Sequence, residues 1–183
     1  GVSGSGIATN TSAGSYTFYA ACSNNPACRT ATGYVIGTAG QWIGASNSNW
    51  SNLANWCGAV PTISTDASIS LGAPNMPVLN AGTGAVRNLA VNTGASLTVS
   101  NATMQISGAI TATNTINAAA GTIELSGSAA QVISGSSFIN RTINNLIASN
   151  SVNVSSVVND SMKITGVLSF GNVNSKVFNS GDN

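Results

Sequence analysis

The side chains able to do acid–base work in this 183-residue chain are few: the acids are Asp66, Glu124, Asp160 and Asp182, the cations Arg29, Arg87, Arg141, Lys163 and Lys176, and there is no histidine. A hydrolase or transferase needs a nucleophile beside a base, a carboxylate pair or a metal. The acids lie far from one another in the sequence, so only the fold could pair them. Glycoside hydrolysis by two carboxylates, or lyase chemistry of the kind parallel β-helix enzymes perform with Lys, Arg and clustered acids, finds no residues to nominate. Glu124 alternates with Ile123 and Leu125 and is expected to face solvent, while Asp66 follows Ser64-Thr65 as a turn residue. No catalytic residue, cofactor or metal site is expected, and the chain reads as a non-enzyme.

Cysteine is the other reactive type. Cys22 and Cys28 enclose Ser23-Asn24-Asn25-Pro26-Ala27, a loop of turn formers that suits a local disulfide and hence an oxidising compartment. Reading them as half of a zinc site leaves too few ligands, since only Cys57 remains. Cys57 is then either a buried small hydrophobe or paired outside this segment. The glycines of Gly1-Val2-Ser3-Gly4-Ser5-Gly6 are followed by no Lys-Ser or Lys-Thr, so they read as a linker and not a phosphate loop. Asn-x-Ser/Thr triplets such as Asn101-Ala102-Thr103 and Asn140-Arg141-Thr142 arise by chance in a chain this rich in Asn, Ser and Thr.

Three tryptophans, Trp42, Trp50 and Trp56, fall close together in the sequence. Such large rings can seal the end of a β stack, supplying apolar area that Ser and Ala cannot. The other reading is a platform on which sugar rings stack. The cap is favoured, because no polar ligand-binding constellation lies nearby in sequence.

The elements that would carry these residues are strands. Charged residues are 5% of the chain against roughly a quarter in ordinary globular domains, so solubility rests on Ser, Thr and Asn. With hydrophobic residues at 43%, the chain has enough apolar side chains to form a core. Straight-chain helix formers are scarce, and the apolar signal has period two. Ser96-Leu97-Thr98-Val99, Met104-Gln105-Ile106, Thr122-Ile123-Glu124-Leu125, Val152-Asn153-Val154 and Leu168-Ser169-Phe170 are short strands punctuated by Gly, Asn and Ser. Asn88-Leu89 recurs as Asn145-Leu146, and Met104-Gln105-Ile106-Ser107-Gly108-Ala109-Ile110 recurs, at almost the same offset, as Met162-Lys163-Ile164-Thr165-Gly166-Val167-Leu168. Three coils of about nineteen residues fill such a period. A β-sandwich would need tight Asn-Gly or Asp-Gly hairpins, which the strand-rich half lacks. The expected architecture is all-β: residues 1–40 the end of an immunoglobulin-like β module, 41–65 a Trp-rich junction or cap, and 66–183 a parallel β-solenoid (β-helix).

Scattered single cations and a net charge of +1 argue against nucleic acid, and no apolar run is long enough to span a membrane. The segments Trp42-Ile43-Gly44-Ala45, Trp50-Ser51-Asn52-Leu53-Ala54-Asn55-Trp56-Cys57, Asn75-Met76-Pro77-Val78-Leu79, Val86-Arg87-Asn88-Leu89 and Gly94-Ala95-Ser96-Leu97-Thr98-Val99 resemble modules in very large surface proteins of Bacteroidetes that are exported by the type IX secretion system. Gly14–Cys22 similarly resembles the last strands of the immunoglobulin-like repeats that precede such modules. The resemblance implies an extracellular adhesin or gliding-motility adhesin at the cell surface, β-helical, without a catalytic centre, and a client of the type IX machinery. It transfers no functional residue. The sorting domain that usually ends such proteins is not among these residues, so a segment of a longer polypeptide is expected.

The functional expectation is a scaffold that touches glycans or surfaces by weak multivalent contacts. The alternative is a subunit of a self-assembling extracellular filament, whose partners are copies of itself. A carbohydrate-active β-helix enzyme is the third reading.

Overall fold

The alternation of apolar and small polar residues becomes, in a computed structural model of the chain, a series of short strands joined by tight corners. The structure describes residues 14–22, 25–171 and 178–179, with side chains for 37–171. The chain divides into two units at Thr38/Ala39.

In the first unit, β1 (Gly14–Cys22) and β2 (Asn25–Ile36) form an antiparallel hairpin in which Gly14 faces Ile36 and Thr17 faces Gly33. The register slips between Ala21 and Cys22, leaving Cys22 opposite Asn25. The expected Cys22–Cys28 disulfide lies outside the residues whose side chains are described.

The second unit is a parallel β-solenoid of about five turns. Its strands are β3 (Ala67–Ile69), β4 (Val78–Leu79), β5 (Thr83–Val86), β6 (Leu89–Val91), β7 (Leu97–Ile106), β8 (Ile110–Ala112), β9 (Ile116–Leu125), β10 (Gln131–Ile133), β11 (Phe138–Ala148), β12 (Val154–Ser156), β13 (Lys163–Ile164), β14 (Leu168–Phe170) and β15 (Phe178–Asn179). Every named pairing among them is parallel: β3-β6-β8 form one sheet, β10-β12-β15 another, and β4, β5, β7, β9, β11, β13 and β14 a third. The pairing is parallel because each coil winds in the same direction as the one before, and the period-two sequence lets one side of each strand enter a core shared by successive coils while the other stays wet.

The inward side chains stack in columns. Gly84, Met104, Ile123, Leu146 and Leu168 pair in succession, as do Val86, Ile106, Leu125, Ala148 and Phe170. All but Leu168 and Phe170 are buried. Burying each large apolar side chain in such a column contributes about 2 kcal/mol relative to leaving it exposed.

Two expectations change. The coils are not uniform in length: the step from Leu97 to its partner Ile116 is shorter than that from Leu89 to Ile110, and the step from Gln131 to Val154 is longer than either. The sequence recurrence is of a corner and not of whole coils. At the first copy Asn88 Oδ1 accepts from the Ala109 N–H at 2.8 Å, Leu89 N–H donates to Ala109 O at 2.9 Å and Gly108 N–H to Arg87 O at 2.7 Å. At the second, Asn145 Oδ1 accepts from Val167 N–H at 2.8 Å, Leu146 N–H donates to Val167 O at 2.9 Å and Gly166 N–H to Asn144 O at 2.8 Å. Yet Leu89 pairs with Ala67 and Ile110, whereas Leu146 pairs with Ile123 and Leu168, so the same corner is used in different sheets. Glycine is required at both, because a Cβ on Gly108 or Gly166 would collide with the Asn Oδ1 beside it.

The parallel stack also begins before residue 66. Gln41 bridges to Ser68 and Asn49 to Val78, both parallel, while Trp42 meets Trp56 across an antiparallel bridge. The Trp-rich segment is thus a first layer folded back on itself. Asn55, fully buried, organises it: its Oδ1 accepts from Ser46 and Asn47 N–H, and its Nδ2 donates to Asn47 Oδ1 and Asn49 O.

Candidate functional site

The tryptophans fill the base of this core. Trp42, Trp50 and Trp56 are 2%, 1% and 3% exposed. Trp56 packs edge-on against both others, at ring-centroid distances of 5.0 Å to Trp42 and 4.7 Å to Trp50. Trp42 Nε1 donates to Asn75 O and Trp56 Nε1 to Trp50 O, each at 2.7 Å. Sugar stacking needs an open ring face, and burial leaves none here, so the glycan-platform reading of Trp42, Trp50 and Trp56 is corrected to a packing role. Trp50 fits because its neighbour on β5 is Gly84, where a Cβ would lie 3.0 Å from Trp50 Nε1.

The acids are separately engaged. Asp66 receives both Arg87 Nε at 2.7 Å and Arg87 Nη2 at 2.8 Å, plus Asn88 Nδ2 at 2.9 Å. That fork and its companion donors lower the Asp66 carboxyl to about 2. Asp160 accepts from the Ser134 hydroxyl, the Ser136 N–H and Arg141 Nη1, and the Ser134 bond above all holds it below the usual carboxylate range. Glu124 accepts from the Ser149 hydroxyl at 2.6 Å. Most of these contacts run from one coil to the next, so the acids act as clips between coils. Among the described residues no three of His, Cys, Asp and Glu gather as metal ligands, and no helix is long and apolar enough to cross a membrane. Cys57 is a half-buried free thiol, and Asp182 and Lys176 lie outside the described residues.

On one outer surface the fold also sets uncharged residues in register. Thr83, Thr103, Thr122 and Asn145 pair in register across β5, β7, β9 and β11. Strand spacing sets them about 4.8 Å apart, an outward file of hydroxyls and methyls ending in an amide. Together with Asn101 and Asn144 the file lines an open groove of about 480 Å³. Asn101 turns the corner there with φ of 52°, a conformation Asn tolerates better than most residues. The file leaves no mark in the sequence because its members are unevenly spaced along the chain, a drift that hides the repeat.

The chain therefore carries, in its second unit, a parallel β-solenoid with an uncharged Thr/Asn file on one outer surface. No protein-family model, curated protein or solved structure matches it.

Proposed function

We propose that this chain is an extracellular structural and adhesive segment of a large bacterial surface protein, which holds glycans or other hydroxyl-rich surfaces by many weak contacts and performs no catalysis. The observation that carries the reading is the in-register file Thr83–Thr103–Thr122–Asn145, which sets a threonine hydroxyl on three successive coils, and an amide on the next, along an open groove. Repetition of weak sites multiplies avidity without any single tight pocket. The clips Asp66–Arg87 and Asp160–Arg141 neutralise charge in pairs and stiffen the stack that presents the file. The resemblance to type IX exported proteins of Bacteroidetes supports placement at the cell surface, where a Cys22–Cys28 disulfide would persist.

The test is retention of the purified chain on polysaccharide-coated and uncoated beads, as a monomer and after coupling into multivalent arrays. Retention that rises steeply with valency supports adhesion, and none at any valency defeats it.

A filament subunit is the second reading. The columns of inward side chains reach Leu168 and Phe170, which are 39% and 47% exposed on β14. An apolar coil face of this kind is covered by a further coil, whether of the same polypeptide or of a second copy, and the filament reading takes the second copy. Concentration-dependent polymers in light scattering support it, and monomers throughout remove it.

A further inference from the structure

A second groove, of about 530 Å³, is lined by Thr113, Asn114, Ser136, Phe138, Asn140 and Arg141. Its backbone is left-handed at several positions, one of them an arginine. Asn114, Asn140 and Arg141 have φ of 52°, 53° and 53°, and Asn159, next to Asp160, has 60°. A bulky residue in the left-handed region persists only where the surrounding structure over-determines it, and such residues gather at active sites and ligand clamps. Two in succession, one of them arginine, are the most demanding case. They fall where the β11/β9 register shifts between Phe138 and Ile143. Asp160, its side chain 10% exposed, fixes the arrangement from the next coil by accepting from Ser134, Ser136 and Arg141.

We infer that this groove binds a neutral sugar unit of a polysaccharide, with Asn114, Asn140 and Arg141 as its hydrogen-bonding residues. The inference rests on the adhesive reading and names a site for it. Three arguments select the ligand. The Asn114 and Asn140 amides make no hydrogen bond among the described residues, and Arg141 has only its Nη1 engaged there, so donors and acceptors stand open together. Sugar hydroxyls both donate and accept, which matches amides and leaves the guanidinium to supply paired donors. The Arg141 charge is already met by the ionised Asp160 and no other charged residue lines the groove, so an anionic polymer gains little there. The volume suits one or two sugar rings in an open cleft.

The test uses the full chain and neutral oligosaccharides from β-glucan, mannan and galactan, with alginate fragments as the anionic set, read by backbone amide NMR shifts. Asn114→Gly and Asn140→Gly remove the amides while keeping the left-handed backbone, and a thermal melt confirms the fold. The expected result is shifts at Asn114, Ser136, Asn140 and Arg141 with a neutral oligosaccharide, weakened about tenfold in the double variant. Shifts confined to the Thr103 file, or absent with every neutral sugar, overturn the inference, as does a preference for alginate. Bead retention separates the two claims. Retention unchanged in the double variant ends this site while leaving adhesion standing, and groove binding without multivalent retention keeps the site and ends the adhesive reading.

Discussion

Asn88 ties Asp66 to the coil that follows: its Nδ2 donates to Asp66 Oδ1 at 2.9 Å and its Oδ1 accepts from the Ala109 N–H at 2.8 Å. One amide therefore bridges three successive coils, from Asp66 through Asn88 to Ala109. Asn88→Ala removes both bonds at an exposed corner where water takes over the Ala109 N–H, and the expected loss of stability is about 0.5–1.5 kcal/mol. Asn88→Asp keeps an acceptor for Ala109 but replaces the donor facing Asp66 with a like charge, so it should destabilise at pH 7 and recover in acid. Urea unfolding of the three proteins checks this, and an Asp variant as stable as wild type at pH 7 contradicts the bridging role.

Gly84 completes its column beneath Met104 by having no side chain. A Cβ there lies 2.9 Å from Leu79 Cδ2 and 3.0 Å from Trp50 Nε1, both in a packed core. Gly84→Val should destabilise by about 1–3 kcal/mol through overpacking. Trp50→Phe, which shortens the ring that is crowded, should recover part of the loss in the Gly84→Val background. Additive losses in a double-mutant cycle would mean the two positions do not touch.

How far these relationships could be read in advance depends on what fixes them. The columns were legible because Met104-Gln105-Ile106 and Thr122-Ile123-Glu124-Leu125 alternate strictly, and alternation alone decides which side chains go inward. The partner of each strand was not, because corners of different length carry the chain forward by unequal steps, as Leu97 to Ile116 and Gln131 to Val154 show. That drift hides Asp66 below Arg87 and the Thr83–Thr103–Thr122 file alike. The tryptophans were legible as a seal from ring size, but their burial depends on Asn55 folding residues 46–55 back under the stack, a contact that no spacing announces. The left-handed pair Asn140–Arg141 gave no signal either, since arginine is not a residue whose type suggests a turn.

Because the three tryptophans are enclosed, their emission should be blue-shifted and resist acrylamide quenching in the folded chain. Adding the neutral oligosaccharides should leave that emission unchanged even where the amide shifts report binding, since no ring face reaches the outside. Trp56→Ala, which removes the ring packed against both others, should cost about 3–5 kcal/mol. A sugar-dependent change in tryptophan emission would restore the stacking platform that burial argues against.

The Asp66 clip makes a pH prediction of definite sign. The carboxyl is lowered from its ordinary 3.8 to about 2, with the Arg87 hydrogen bond as the largest cause. A group lowered on folding contributes its stability fully above its unfolded value and loses it as pH falls through its folded value. Asp66→Asn should therefore lower the melting temperature at pH 7, and the gap to wild type should close between about pH 4 and pH 2. The pair is exposed, 55% at Arg87 and 48% at Asp66, so the effect is modest and salt should shrink it at pH 7. Asp160→Asn should follow the same direction, with less sensitivity to salt because its carboxylate is 10% exposed. Thermal melts of both variants from pH 7 to pH 2, at low and high salt, measure the two clips separately. A gap between Asp66→Asn and wild type that stays constant down to pH 2 would show that the Arg87 fork contributes nothing to folding.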